Sequence, residues 1–321
     1  MKRAILTGAT GFVGANLARK LLKGGHEVHI LVRPSYRSWR IQEILSEIRL
    51  HEVPLEDAEK LAQVVGEICP DWIFHLATHG AYSSQKDMRR IVATNVMGTL
   101  NLMEACMRAG FEVFVNTGSS SEYGFKDRAA AETDFLEPNS HYAWTKAAAT
   151  LFCQHMAQNH SVCIPTVRLY SVYGAYEEPT RLMPTLIMRG LRGELPPLVN
   201  PEIARDYIYI DDVVDAYLTI AETPTAELGA IYNLGTGCQT TLREVVEVAR
   251  SSMDLAIEPK WGSMPNRSWD TSVWVADNRK IKETFNWSPE YSFESGFRAM
   301  MNWFIENPAH QEFYLRSVNM R

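Results

Sequence analysis

The stretch LTGATGFVGANLARKLL, Leu6 to Leu22, sets Gly8, Gly11 and Gly14 at three-residue intervals between a short apolar run and an amphipathic one. Arg3 to Thr7 reads as a buried parallel strand, and Val13, Leu17 and Leu21 recur every fourth residue, as on a helix. The chain must therefore pass from strand to helix across the three glycines. Glycine permits the tight turn and lets backbone N–H groups approach a ligand, while the helix N-terminus adds orphan donors and positive potential. An ordinary glycine-rich turn has the same spacing, but the strand before and the helix after favour a cradle for a dinucleotide pyrophosphate, built from Gly8, Thr10, Gly11, Phe12, Val13 and Gly14.

Further strand-like runs lie at Val28 to Val32, Trp72 to Leu76, Val113 to Thr117 and Thr166 to Leu169. Between them stand amphipathic stretches at Asp57 to Ile68, Met88 to Ala109 and Tyr142 to Gln158. This alternation predicts an α/β fold with a doubly wound parallel sheet. After Gly174 the rhythm breaks and prolines and glycines crowd into GELPPLVNPE, which predicts a smaller, mixed second lobe. The expected division is a dinucleotide-binding domain over 1–170 and a substrate lobe over 171–321, with the chain near 205–225 returning to the first domain.

A chain of 321 residues, 46% hydrophobic, can bury the core that two lobes require, and a net charge of −6 argues against a general nucleic-acid binder. Too few apolar residues precede Gly8 for a signal-peptide core, and no apolar run is long enough to span a bilayer. Cys69, Cys106, Cys153, Cys163 and Cys238 form no close pair, so the expectation is a reduced, cytoplasmic, metal-free protein.

A second chemical clue is NTGSSSEYG followed by HYAWTKAAAT. Tyr142 and Lys146, four residues apart, share one face of a helix, and a nearby ammonium favours phenolate and can lower a tyrosine pKa toward the working pH. Serines just beyond the Val113 strand fall at its C-terminal edge, where open α/β sheets bind ligands.

The glycine loop, FHLAT from Phe74, TNVMGT from Thr94, the serine strand and YAWTK together resemble the extended short-chain dehydrogenase/reductase family. The resemblance continues through RLYSVYG from Arg168, RDYIYIDD from Arg205, YNLGTG from Tyr232 and FNWSPEYSFESGF, over nearly the whole chain. It implies a first lobe binding a nicotinamide dinucleotide and a second binding a nucleoside-diphosphate sugar, with hydride exchanged between them. Carried over by position, Ser119 polarises the reacting oxygen, Tyr142 is the general acid or base, and Lys146 lowers its pKa and holds the nicotinamide ribose. Asn95 helps order the site, and Leu76, Ala77 and Tyr170 stand with the cofactor. Ser120, Ser171, Arg205, Arg267 and Asp270 stand with the nucleotide sugar. The resemblance also implies a homodimer through a four-helix bundle, which Ala147, Ala148, Leu151, Phe152, Leu102 and Met103 suit, although the same residues could simply face the sheet.

The chain departs from the family pattern in ways that bear on function. Arg33 stands after the second strand where NAD-binding members usually carry an acid, with Arg37 and Arg40 behind it, and VHILVRPSYRSWRI resembles the NADP-binding GDP-mannose dehydratases. An arginine there favours the 2′-phosphate of NADP(H), with NAD(H) as the alternative. Pro54 replaces an aspartate near the adenine, passing that contact to backbone near Leu55, and Ser171 replaces a common asparagine.

Sugar 4,6-dehydratases place an acid in the two positions after the serine, but here stand Ser120 and Ser121, and Glu122 points to the opposite face if the segment stays extended. Dehydration is disfavoured. The expected activity is NADP(H)-dependent reduction of a nucleotide-linked 4-keto-6-deoxyhexose, with 4-epimerisation as the alternative. A non-catalytic dinucleotide-binding regulator is disfavoured because Tyr142 and Lys146 are both present. Trp261, Trp269 and Trp274 could stack a nucleobase, but packing is the usual role of tryptophans in such a lobe and is the reading taken.

Overall fold

The computed structural model describes residues 1–82, 84–266 and 271–319. β1 (Arg3–Thr7), α1 (Phe12–Lys23), β2 (Glu27–Val32), β3 (Arg49–Glu52), α2 (Ala58–Ile68) and β4 (Trp72–His75) open the chain. α3 (Met88–Val92) and α4 (Gly98–Ala109) follow, joined by a π-helical turn at Ala93–Met97. β5 (Val113–Ser119) leads through a 3-10 turn at Ser120–Tyr123 to α5 (His141–His160) and β6 (Thr166–Leu169). The second half carries β7 (Ser171–Tyr173), α6 (Leu182–Gly190), β8 (Ala204–Arg205), β9 (Tyr207–Tyr209), α7 (Ile210–Glu222) and β10 (Ile231–Leu234). It ends with β11 (Thr240–Thr241), α8 (Leu242–Met253), α9 (Arg279–Phe285), α10 (Phe293–Glu306) and α11 (Pro308–Asn319).

Seven strands form the doubly wound parallel sheet, in the order β10-β6-β5-β4-β1-β2-β3, and two small two-stranded sheets pair β11 with β8 and β7 with β9. Alternate side chains of each inner strand enter different cores, because successive residues of a strand face opposite sides. Ala4 and Leu6 pack under α1 and α7, while Ile5 between them packs with Leu61 and Val65 of α2 and Leu102 of α4. Burial on both faces is why these strands read as continuous apolar runs. β3, with the sequence RLHE on one sheet edge, has no such run, and β10, from late in the chain, forms the other edge beside β6.

Three residues assigned to a subunit contact do not face outward. Leu102 and Met103 are 0% exposed in the chain's own core, and Ala147 is also buried, whereas Leu151, Trp144 and Met97 present apolar surface on the same group of helices. Among the described residues no helix is long and apolar enough to cross a membrane.

The strand order reverses between β1 and β4, and the parallel register lines up Thr7 with His75, His75 with Asn116, and Ser119 with Leu169. The loops that leave these carboxyl ends therefore converge on one crevice, the place where open α/β sheets take ligands.

Candidate active site

Gly8 begins the crevice at φ +72, and a Cβ there would lie 2.6 Å from the backbone of both Leu76 and Ala77. A Cβ on Gly14 would lie 2.5 Å from the Gly8 carbonyl oxygen, so the missing side chains let α1 press against the turn. Gly11 is the N-cap of α1, with no side-chain cap and no acidic residue in the first turn. The N-terminal donors and positive end of α1, which starts at Phe12 and Val13, are thus left to an anion. These features fit a dinucleotide pyrophosphate.

Beneath the turn, His75 bridges Thr7 Oγ1 (Nδ1, 2.7 Å) and Thr99 Oγ1 (Nε2, 2.8 Å). Thr99 donates its own hydroxyl proton to the Asn95 carbonyl, so His75 must donate from Nε2 and accept at Nδ1. Burial pushes the His75 pKa down to about 3, which keeps the bridge neutral. Thr7 Oγ1 in turn accepts from the Ala77 N–H (3.1 Å), fixing the loop that carries Leu76 and Ala77.

Asn95 lies in the π-helical turn, a form that recurs at functional sites. Its Oδ1 accepts from Thr78 Oγ1 and the His79 N–H, and its Nδ2 donates to the His79 carbonyl and Thr145 Oγ1. With its amide fully engaged by protein, Asn95 clamps the β4 loop to the helix that carries Tyr142 and Lys146.

Ser119 ends β5 and caps the 3-10 turn: its Oγ accepts from the Ser121 N–H, while Glu122 Oε1 accepts from the Ser119 N–H at 2.8 Å. The segment turns where the sequence reading left it extended, and Glu122 is therefore tucked under Ser119 at 0% exposure. Thr150 Oγ1 also donates to Oε1, and Arg168 Nε donates to Oε2 at 2.8 Å. Arg168 Nη1 donates to Tyr123 OH, which donates to Asn233 Oδ1, so β5, β6 and β10 are tied together. Gly118 makes room for this network, since its Cβ would lie 2.7 Å from Glu122 Oε1. The S-x-x-E spacing of a capping box, Ser119 to Glu122, was the signal in the sequence.

Tyr142 is half-buried beside Ser119, and Lys146 is buried one turn along α5. Burial pushes the Tyr142 pKa up to about 12, against a lowering hydrogen bond from Ser119, and the Glu122 charge raises it further. The downward shift expected from Lys146 is not what dominates: Lys146 is itself lowered by burial, with Glu122 acting the other way. Tyr142 thus holds its proton at neutral pH, the form a general acid needs.

Arg33 is exposed immediately after β2, whereas Arg40 is buried, donating to the Tyr176 and Thr10 carbonyls and to Glu178. The Leu55 carbonyl accepts from Asn101 Nδ2 (2.9 Å), and Tyr170 is buried after β6. Ser171 starts β7, its N–H donating to the Asp206 carbonyl. Arg205 donates to the Ala204 and Thr271 carbonyls and lies 5.3 Å from the Trp274 ring centroid. Trp274 Nε1 donates to Ser120 Oγ at 3.1 Å, which makes this tryptophan a wall of the serine site rather than packing alone. Arg267 and Asp270 lie outside the described residues.

A family model described as the NAD dependent epimerase/dehydratase family matches residues 4–235. A trifunctional UDP-glucose 4,6-dehydratase/UDP-4-keto-6-deoxy-D-glucose 3,5-epimerase/UDP-4-keto-L-rhamnose-reductase of Arabidopsis thaliana is 25% identical over 96% of this chain. The chain spans about half of that enzyme, 47% of its length. The crystal structure of a UDP-glucose 4-epimerase from Thermotoga maritima with UDP-glucose superposes with a TM-score of 0.86 at 25% identity, covering 95% of this chain and 99% of that one. A UDP-glucose 4-epimerase from Thermus thermophilus in complex with NAD gives a TM-score of 0.83 at 26% identity, covering 95% and 99%.

Proposed function

The chain belongs to the NAD dependent epimerase/dehydratase family, an enzyme family, and from that premise we propose that it is an NADP(H)-dependent reductase of a nucleoside-diphosphate 4-keto-6-deoxyhexose. The engagement of Glu122 by Ser119, Thr150 and Arg168 sets dehydration aside, and the exposed Arg33 after β2 supports the choice of a reductase. Elimination of water from a sugar needs a second acid/base beside the tyrosine. Ser120 and Ser121 cannot serve, and the buried, paired carboxylate of Glu122 is not free to.

When bound, the dinucleotide supplies hydride to C4. Ser119 donates to the C4 carbonyl oxygen, and Tyr142 transfers its phenolic proton to that oxygen as it becomes an alkoxide. Lys146, one turn on, is positioned to hold the nicotinamide ribose and to offset the phenolate left behind. Arg205 and Arg267 grip the nucleotide of the sugar, joined by Asp270, with Ser120 and Ser171 nearer the sugar.

A 4-epimerase is the second reading, favoured by the full-length likeness to the two UDP-glucose 4-epimerases. Its first half-reaction asks Tyr142 to remove a proton from a hydroxyl and its second to return one, so Tyr142 by itself serves either reading. Arg33 supports the reductase, because epimerases of this family usually retain NAD. Titration is expected to give tighter binding of NADPH than of NADH, and Arg33→Ala to remove the difference by deleting a charge-assisted bond to the 2′-phosphate. Equal affinities in the native protein would contradict this assignment.

The proposed assembly is a homodimer through the helices bearing Trp144, Leu151 and Met97, whose exposed apolar side chains suit an isologous contact. Light scattering at micromolar concentration is expected to return twice the 36.4 kDa chain mass, and a monomer would rule the dimer out.

A further inference from the structure

A half-open cavity lies beside the end of β5, walled by Ser120, Tyr123, Tyr170 and Trp274 together with Lys126 and Arg128. Its volume, about 10 Å³, is the room of one water molecule or one substituent oxygen. Ser120 follows Ser119 directly, about 3.8 Å away from Cα to Cα, so a sugar whose C4 oxygen meets Ser119 brings its next oxygens within reach of this wall.

The polar groups of the wall differ in what they have left to give. An indole N–H only donates, so Ser120 Oγ accepts from Trp274 Nε1 (3.1 Å), and the serine proton has no acceptor among the described residues. Trp274 is held in that role: its N–H donates to Gln239 Oε1 (3.2 Å), and its carbonyl accepts from the Asp206 N–H (2.8 Å). Tyr170 is 7% exposed, its N–H donates to the Leu234 carbonyl (3.1 Å), and its hydroxyl has no hydrogen-bond partner among the described residues. Burial raises the Tyr170 pKa, so the hydroxyl keeps its proton at neutral pH. Tyr123, by contrast, is spent, accepting from Arg168 and donating to Asn233. The cations are engaged too, Lys126 by Glu137 and Arg128 by both oxygens of Asp134 (2.8 Å each). Two O–H donors beside charges that are already paired suit a neutral acceptor oxygen better than an anion.

We propose that Ser120 and Tyr170 together hold one sugar hydroxyl flanking C4, at C3 or at C6, which makes Tyr170 a specificity-determining residue for the sugar. The inference rests on the nucleotide-sugar reading of the preceding subsection, whichever reaction follows, and it moves the Tyr170 side chain from the cofactor to the sugar. Calorimetric titration of the full chain with the UDP, dTDP, GDP and CDP conjugates of glucose tests it, beside the matching 3-deoxyglucose and 6-deoxyglucose conjugates, the bare diphosphates and NADPH.

Tyr170→Phe deletes only the hydroxyl. It is expected to bind the glucose conjugate about tenfold more weakly than the native protein does, with the affinities for NADPH and the bare diphosphate unchanged. One of the two deoxy conjugates is expected to show the same loss on the native protein and no further loss on the variant. Loss with the 3-deoxy sugar assigns the C3 hydroxyl. Loss with the 6-deoxy sugar assigns the C6 hydroxyl, which keeps the inference and replaces the 6-deoxyhexose of the preceding reading by a hexose. Native affinity of Tyr170→Phe for the glucose conjugate, a loss shared equally by NADPH, or deoxy conjugates that both bind the native protein as the glucose conjugate does, overturns the inference. Should that variant fail to fold, Ser120→Ala is expected to show the same loss confined to the sugar conjugate, and unchanged binding overturns the inference. Failure of every nucleotide sugar to bind the native protein overturns the nucleotide-sugar reading itself, and the inference with it.

Discussion

Tyr142→Phe is expected to lower turnover by at least about 10²–10⁴-fold while leaving NADP(H) affinity nearly intact, the range usual for removal of a general acid. The substitution deletes the proton that the forming alkoxide needs and little else, since the ring keeps its place on α5. Steady-state kinetics beside cofactor titration separates the effects: kcat falls and the cofactor Kd holds. Lys146→Ala is expected to damage both, because it is asked to bind ribose and to balance the phenolate. A Tyr142→Phe enzyme that keeps most of its activity would place the proton donor elsewhere.

Arg168→Ala is expected to destabilise the fold by about 3–5 kcal/mol, because it strands Glu122 as an uncompensated buried charge. Glu122→Leu combined with Arg168→Met is expected to recover much of that loss, since replacing a buried ion pair by apolar groups of similar volume is often neutral or better. Activity should not return with stability. The double variant leaves the Ser119 N–H without its acceptor, so the backbone that places the serine hydroxyl beside Tyr142 loses an anchor, although Ser119 Oγ still accepts from the Ser121 N–H. Denaturant titration and turnover on the same samples check both halves. A single Arg168→Ala variant as stable as the native protein would show that the pair does not hold this strand end.

The glycine turn, the Tyr142 and Lys146 helix and the serines at the end of β5 were legible in the sequence because local spacing determines them. Gly8 needs a positive φ, and residues four apart on a helix share a face whatever surrounds them. The pKa of Tyr142 was not legible. Proximity to Lys146 predicted a fall, but burial, which local spacing does not reveal, raises it and prevails.

Glu122 shows the same limit from the other side. Its capping-box spacing could be read, yet Arg168, its partner, is 46 residues away and meets it only through the pairing of β5 with β6. The faces of α4 were misassigned for a like reason: Leu102 and Met103 suit either a subunit contact or the sheet, and only the packing of α4 on α2 decides between them. Trp274 reaches Ser120 from 154 residues away, so no local pattern announces it.

The central claim is tested most directly by supplying a nucleoside-diphosphate 4-keto-6-deoxyhexose with NADPH and following nicotinamide absorbance and sugar product together. The account predicts loss of NADPH in step with the appearance of the 4-hydroxy sugar nucleotide. Interconversion of two nucleotide sugars with no net consumption of NADPH would contradict it and identify an epimerase.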